Sequence, residues 1–448
     1  MRRFAWIVIV CWASAVDISM SVFLEDYHLM SDLSKYEAIR GDVRHANPNS
    51  IKGCTAVRLW ILHRHGTRYP SSDEIASMET LLTLRDEVIS NHKKGRGTLT
   101  RFQLERLRKW TFDSSMAATP MYLTKEGHNE TFRTASRFKE RFPNLLGKPY
   151  SPRDYYFQHS ETERTLETSL AFVDGLFGQR AEHYVRNLVL PSDKDYLLYP
   201  FGGACEKLAN LTADSNTYAP LQAFLNTDEY MQALKSISKT LGFKNILSKT
   251  NLTTMFDACG YDSAWKQESE WIGPWCAALG SKGCNIGEYL MDLEFQAMSG
   301  YGTEVTERAG CGAPRDLWQR FATATGWLKR SDQNQTVTVL FTHDNVIMLV
   351  HTALNLLKDN PPLTPNNFKI QGFRKWRTSK TVPFAGNIAA VLYECNTVYG
   401  SVEYKVQLLR NEHPFDGIPN CPGGVCSWSN FKNFVKPVAD SCTFDDFC

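Results

Sequence analysis

The chain has 448 residues, 43% hydrophobic and 22% charged, enough for two or three domain-sized units or one large domain with an insertion. Its 50 Lys+Arg against 48 Asp+Glu leave a net charge of +2. Such balance gives no global argument for nucleic acid or an anionic membrane as partner, so any anion site must be local.

Residues 1–15 read as a signal peptide: Arg2 and Arg3 are basic, Phe4 to Trp12 is an apolar run too short to span a bilayer well, and Ala13-Ser14-Ala15 suits cleavage. The alternative is an N-terminal anchor. No other window has the length and apolarity of a membrane-spanning helix. The carboxyl end, Phe444-Asp445-Asp446-Phe447-Cys448, shows neither a retention tetrapeptide nor an anchoring tail, which favours export. Lysosomal or endoplasmic reticulum residence is the alternative. Sequons at Asn129, Asn210, Asn251 and Asn334 agree with secretion. Eleven cysteines follow the signal, and no Cys/His spacing suggests zinc, so disulfides are the default. The odd count leaves one thiol over, and terminal Cys448 is the expected orphan.

Residues 16–52 are polar and irregular, an arm packed on the core. Val57–Leu62 is an apolar strand. Met78–Ser90 has helical periodicity, and His92–Arg101 is a basic, glycine-punctuated loop. A helix opens at Leu123-Thr124-Lys125 and runs to about Phe142, where Pro143 ends it. Tyr155–Gln158 is a short strand and Arg164–Phe177 a helix. From about 180 to 330 strand signals are weak; helical stretches such as Leu221–Leu241 and Ile286–Met298 predict a mostly helical second lobe. Thr336–Phe341 is a β-branched strand, Val346–Leu357 an apolar helix, and Ile388–Tyr393 and Val402–Leu409 alternate as late strands. Strands followed by helices predict α/β architecture, a central mostly parallel sheet flanked by helices.

The run Arg64-His65-Gly66-Thr67-Arg68-Tyr69-Pro70 carries the sharpest chemistry. At average composition, chance produces Arg-His-Gly-x-Arg-x-Pro in this length roughly once in ten thousand chains. Arginine forks bind phosphoryl oxygens bidentately, and an imidazole between them can attack phosphorus in line. The plainer reading is a basic loop with a structural histidine. Thr342-His343-Asp344-Asn345 follows the strand ending at Phe341 and opens a helix, so the two turns could meet at one sheet edge. Asp344 then offers an acid for the departing alkoxide, or merely a helix cap. Arg164 begins a helix after a short strand; its alternative is a surface pair with Glu161 or Glu167. No Cys-x5-Arg loop, Walker-type glycine loop or two-metal Asp/His cluster occurs.

With these motifs the chain resembles the histidine acid phosphatase superfamily. Within it, the chain is most similar to the multiple inositol polyphosphate phosphatases, through Gly300-Tyr301-Gly302, Pro361-Pro362-Leu363-Thr364, Arg374-Lys375-Trp376-Arg377 and Val382-Pro383-Phe384-Ala385. The resemblance covers about residues 54–410. It implies a phosphoglycerate mutase-like α/β core (about 54–180 and 330–410), a helical lobe (about 181–329) and a cysteine-containing extension (about 411–448). It implies His65 as nucleophile, Asp344 as proton donor, and Arg64, Arg68, Arg164 and His343 as phosphate ligands, with no metal or cofactor. It also implies a Cys54–Cys395 pair; Cys259–Cys276 and Cys421–Cys426 are further candidates.

One departure stands out: the inositol polyphosphate branch usually reads His-Ala-Glu, whereas this chain reads His343-Asp344-Asn345, as phytases and other acid phosphatases do. The expected function is therefore hydrolysis of inositol polyphosphates, with simple phosphomonoesters as the alternative substrates. A non-catalytic secreted binding protein is the third reading. Lys93, Lys94 and Arg96 are candidate peripheral contacts for a highly phosphorylated small-molecule substrate; Arg374, Lys375 and Arg377 are weaker ones. The plainer reading of both groups is a solvated charge run.

Overall fold

A computed structural model describes residues 27–43, 51–267, 271–330, 333–397 and 400–448. The expected signal segment lies outside them. Eight strands form one sheet: β1 (Cys54–Arg64), β2 (Tyr155–His159), β3 (Asn187–Val189), β4 (Val337–Thr342), β5 (Asn387–Asn396), β6 (Val402–Arg410), β7 (His413–Pro414) and β8 (Val425–Ser427). Their order is β3-β2-β4-β1-β5-β6-β7, with β8 also on β6. The run from β3 to β1 is parallel. The ladders of β5 to β8 are antiparallel.

The central strands are apolar on both faces because both are covered. In β1, Leu59 and Ile61 join one buried cluster with Phe138 and Phe172, from the helices Lys125–Arg141 and Glu163–Phe177. Trp60 and Leu62 join the other, with Leu234, Tyr261 and Leu290. Those three come from the lobe helices Asp228–Thr240, Lys249–Ala264 and Pro274–Ser299. The lobe therefore shares a core with one face of the sheet. The arm packs there too, through Tyr27, Met30 and Leu33.

Local signals set most boundaries. Thr124 accepts from the Gly127 amide at the start of Lys125–Arg141. That helix stops before Pro143, which opens a short helix of its own, Pro143–Leu146. The stretch Leu221–Leu241 is two helices, Ala219–Phe224 and Asp228–Thr240, because Thr227 caps the second. The helix after β4 runs Asp344–Ala353 and ends earlier than its apolar pattern, with Asn355 and Leu357 at positive φ. Edge strand β3, inside the range expected to be helical, is too short for alternation to register.

Five disulfides tie the chain: Cys54–Cys395, Cys259–Cys276, Cys421–Cys426, Cys205–Cys448 and Cys311–Cys442. The first three match the candidate pairs. Cys448 as orphan is corrected: it bonds Cys205, because the terminal helix Phe444–Phe447 packs its aromatic rings beside Cys205 and Cys311. Among the described residues, buried Cys284 is the thiol outside the disulfides. Of the sequon asparagines, Asn210 and Asn334 are exposed, while Asn129 and Asn251 are half-buried on helices. Among the described residues no helix is long and apolar enough to cross a membrane.

Candidate active site

Three adjacent strand ends assemble the site. Parallel pairing sets Arg64 beside Thr342, so the next residues, His65 and His343, leave the same sheet edge. The His65 amide donates to the Thr342 carbonyl at 2.9 Å. The two imidazole centroids lie 5.5 Å apart. On the other side of β4, His159 pairs with Phe341, and the chain turns through Ser160 into Glu163–Phe177, placing Arg164 in its first turn.

His65 is 2% exposed. Its Nδ1 lies 2.8 Å from the Gly66 carbonyl. A carbonyl only accepts, so Nδ1 carries the proton and Nε2 keeps the lone pair. Burial, then Arg64, Arg164 and His343, holds the imidazole well below the usual histidine range, so it is neutral. Its loop is clamped. A Cβ on Gly66 would lie 2.5 Å from the Gly127 carbonyl oxygen, so only glycine lets loop and helix backbones approach this closely. The Gly66 amide donates to Thr168 Oγ1 at 3.0 Å. The Thr67 amide and hydroxyl donate to Glu130 Oε1 at 2.6 and 2.8 Å.

The three arginines differ in setting. Arg64 is fully buried under the site: Nη1 donates to the carbonyls of Asp32 and Val382, and Nη2 pairs with Asp344 at 2.6 Å and Asp32 at 3.3 Å. Arg68 donates to Tyr261 at 2.5 Å and pairs with Glu74 at 3.3 Å. Arg164 donates through Nη2 to His343 Nδ1 at 3.2 Å, and its buried Nε has no partner. His343 must then carry its proton on Nε2, which donates to Ser160 Oγ at 2.9 Å. Asp344 Oδ1 accepts the Asn345 amide at 2.7 Å. Burial pushes the Asp344 carboxyl up, but Arg64, His343, the Asn345 amide and Arg68 together bring it below its ordinary range. A phosphate dianion would take up the charge of these cations and release Asp344 to accept a proton.

His65, Arg68, Arg164, His343 and Asp344 line one cavity of about 400 Å³. Arg64 does not reach its wall. Lys93, Lys94 and Arg96 are not brought here: they end the helix Leu81–Lys93 and begin its loop, which bonds back to the Thr240 carbonyl. Arg374 and Arg377 are committed to ion pairs with Glu288. Sequence reasoning missed Asp32, Ser160 and Glu130, single polar residues carrying no motif. Glu74 was legible only as the partner of Ser71 in a capping box.

Known proteins are similar to this chain in sequence and fold. The family model described as histidine phosphatase superfamily (branch 2) matches residues 58–411. Multiple inositol polyphosphate phosphatase 1 of Drosophila melanogaster is 30% identical over 408 residues, covering 89% of this chain and 83% of the relative. The protein of the same name from Homo sapiens is 28% identical over 416 residues, covering 90% and 83%. The phytase from D. castellii has the same fold, with a TM-score of 0.70 at 16% identity, covering 95% of this chain and 87% of the phytase. The resemblance carried by the first motif thus extends over most of the chain, which belongs to branch 2 of the histidine phosphatase superfamily and is a phosphoric monoester hydrolase.

Proposed function

We propose that the chain cleaves phosphomonoesters through a covalent phosphohistidine on His65. One observation carries this reading: His65 keeps an Nε2 lone pair, with Nδ1 locked on Gly66, in the cavity that also holds Arg164 and Asp344. Nε2 attacks phosphorus, the ester P–O bond breaks, and the leaving oxygen takes a proton from the Asp344 carboxyl. Water then attacks the phosphohistidine, Asp344 takes its proton back, and the P–N bond breaks to release phosphate. Arginines supply the positive charge that steadies the transferring group. Arg64 acts from beneath, through Asp344, while Arg68 and Arg164 face the phosphoryl oxygens.

The names of the relatives support inositol phosphates as substrates. The cavity favours a second reading, esters bearing few phosphates: Asp32, Glu74, Asp257 and Glu294 line it, and no lysine does among the described residues. Rapid acid-free quench with labelled substrate should trap a phosphohistidine in the intact chain and none in His65→Ala. Retained turnover in that variant would show that the nucleophile lies elsewhere. Comparing phytate with glycerol phosphate at equal concentration separates the two substrate readings.

Export through the secretory pathway accompanies this function. It is supported by the apolar run after Arg3 and the exposed sequons at Asn210 and Asn334. Secretion by cells expressing the full chain, with a mass shift on enzymatic deglycosylation, checks it.

A further inference from the structure

The cavity over His65 carries more acid than its phosphate chemistry uses. Arg68 and Arg164 face the phosphate position, with Arg64 beneath it. Three carboxylates are spent on them: Asp32 and Asp344 on Arg64, and Glu74 on Arg68. Glu74 is also held by Tyr261, whose hydroxyl donates to it at 3.0 Å. Asp257, on Lys249–Ala264, and Glu294, on Pro274–Ser299, are left over. Both line the cavity, and neither has a hydrogen-bond or ion-pair partner among the described residues. They are half-buried, so desolvation is paid without a protein donor in return.

Burial, then the charges of Glu74, Asp32 and Glu294, pushes Asp257 well up. Burial, then Asp32 and Glu74, pushes Glu294 up to about 7. Ionised, these carboxyls add their charge to that of Asp32 and Glu74, against any further negative charge placed beside them. Each added phosphate brings about 1.5 to 2 negative charges near pH 7. A second phosphate on the substrate would meet this wall, with no lysine among the described lining residues to receive it. A hydroxyl would instead find an acceptor waiting.

We propose that Asp257 and Glu294 form the receptor for the leaving alcohol, accepting hydrogen bonds from its hydroxyls and admitting esters with one phosphate over esters with several. The inference rests on the His65 reading of the phosphate position. The lobe thereby sets selectivity by repulsion as well as by contact. Asp257 and Glu294 are specificity residues that touch the alcohol, away from the reacting phosphorus.

The test uses the full chain at pH 7.5, with myo-inositol 1-phosphate and inositol hexakisphosphate as paired substrates. The expected kcat/KM favours the monophosphate by about tenfold or more. In the double variant Asp257→Asn/Glu294→Gln that ratio should fall by about tenfold, mainly through a lower KM for the hexakisphosphate. A wild-type preference for the hexakisphosphate overturns the proposal without any variant. So does a ratio that moves less than about twofold on double substitution. Trapping the phosphoenzyme separates the two readings. If neither ester phosphorylates His65, the catalytic reading fails. If both do and the hexakisphosphate is preferred, only the alcohol receptor fails.

Discussion

Three strand ends, those of β2, β4 and β1, hold the phosphate half of the cavity, whereas two long lobe helices, Lys249–Ala264 and Pro274–Ser299, wall the other half. In the first half most polar groups are engaged in a dense network, the Arg164 Nε and the His65 Nε2 being left open toward the cavity. Gly66 rests on Gly127, Thr67 on Glu130, His343 on Ser160 and Arg164, and Asp344 on Arg64. In the second, Asp257 and Glu294 have no hydrogen-bond or ion-pair partner among the described residues. The contrast shows where the fold spends rigidity. Transferring a phosphoryl group demands fixed charges and a fixed lone pair, and adjacent parallel strands provide that precision. Choosing an alcohol requires only a wall of suitable charge and shape, and helices lying between β3 and β4 can supply one without disturbing the sheet.

Substitutions on the strand-end side should cost most. Asp344→Asn should lower kcat for alkyl phosphates by about 10² to 10⁴, and far less for aryl phosphates, whose leaving groups need no proton. Parallel assays on glycerol phosphate and p-nitrophenyl phosphate read this, and equal losses on both would remove Asp344 from the proton-donor role. Gly66→Ala should cost roughly 1 to 3 kcal/mol of stability, because its Cβ meets backbone rather than a side chain that can yield. Urea unfolding of both chains measures it; an unchanged midpoint would show that the Gly66–Gly127 contact relaxes freely.

Glu130 links the clamp to pH. Burial pushes its carboxyl from 4.5 up to about 7, against the Thr67 donors that pull it down. The folded chain therefore holds this proton more tightly than the unfolded one. The resulting stability, about 3 kcal/mol at most, is complete below about pH 4.5 and lost as pH rises through 7. Glu130→Gln removes that dependence, so its stability relative to wild type should improve between pH 4.5 and 8. Unfolding curves at those two pH values decide it, and a difference that stays constant would place the Glu130 titration in the ordinary range. The smallest effect belongs outside both halves. Lys93→Ala with Lys94→Ala should change phytate kcat/KM by less than about twofold, since neither lysine lines the cavity. A tenfold loss would extend the substrate site beyond this cavity and blur the division between its two halves.

Much of the phosphate half was legible from the chain alone. Arg64, His65 and Arg68 lie within one short run, and His343-Asp344 follows directly on a strand, so their chemistry is written in consecutive residues. The central strands were legible because burial on both faces leaves unbroken apolar runs such as Val57–Leu62. The pairs Cys259–Cys276 and Cys421–Cys426 are near in sequence, separated by 17 and 5 residues, and were named as candidates; Cys205–Cys448, 243 residues apart, was not. Cys54–Cys395, 341 residues apart, came from the family resemblance alone, because distant pairing depends on where whole elements pack, which no local period encodes.

The same reason divides the rest. The chain by itself pointed to the candidate nucleophile, the candidate acid, the alternation of strands and helices, and the family. Those depend on residue type and short-range spacing, which survive in a linear string. Only the tertiary structure decided that Arg64 lies beneath the site bound to Asp32 and Asp344, that Lys93, Lys94 and Arg96 stay away from it, and that Asp257 and Glu294 face it. Each of those facts arises from side chains more than thirty residues apart meeting across packed elements. Burial and charge act there through distance in space, to which sequence distance is no guide.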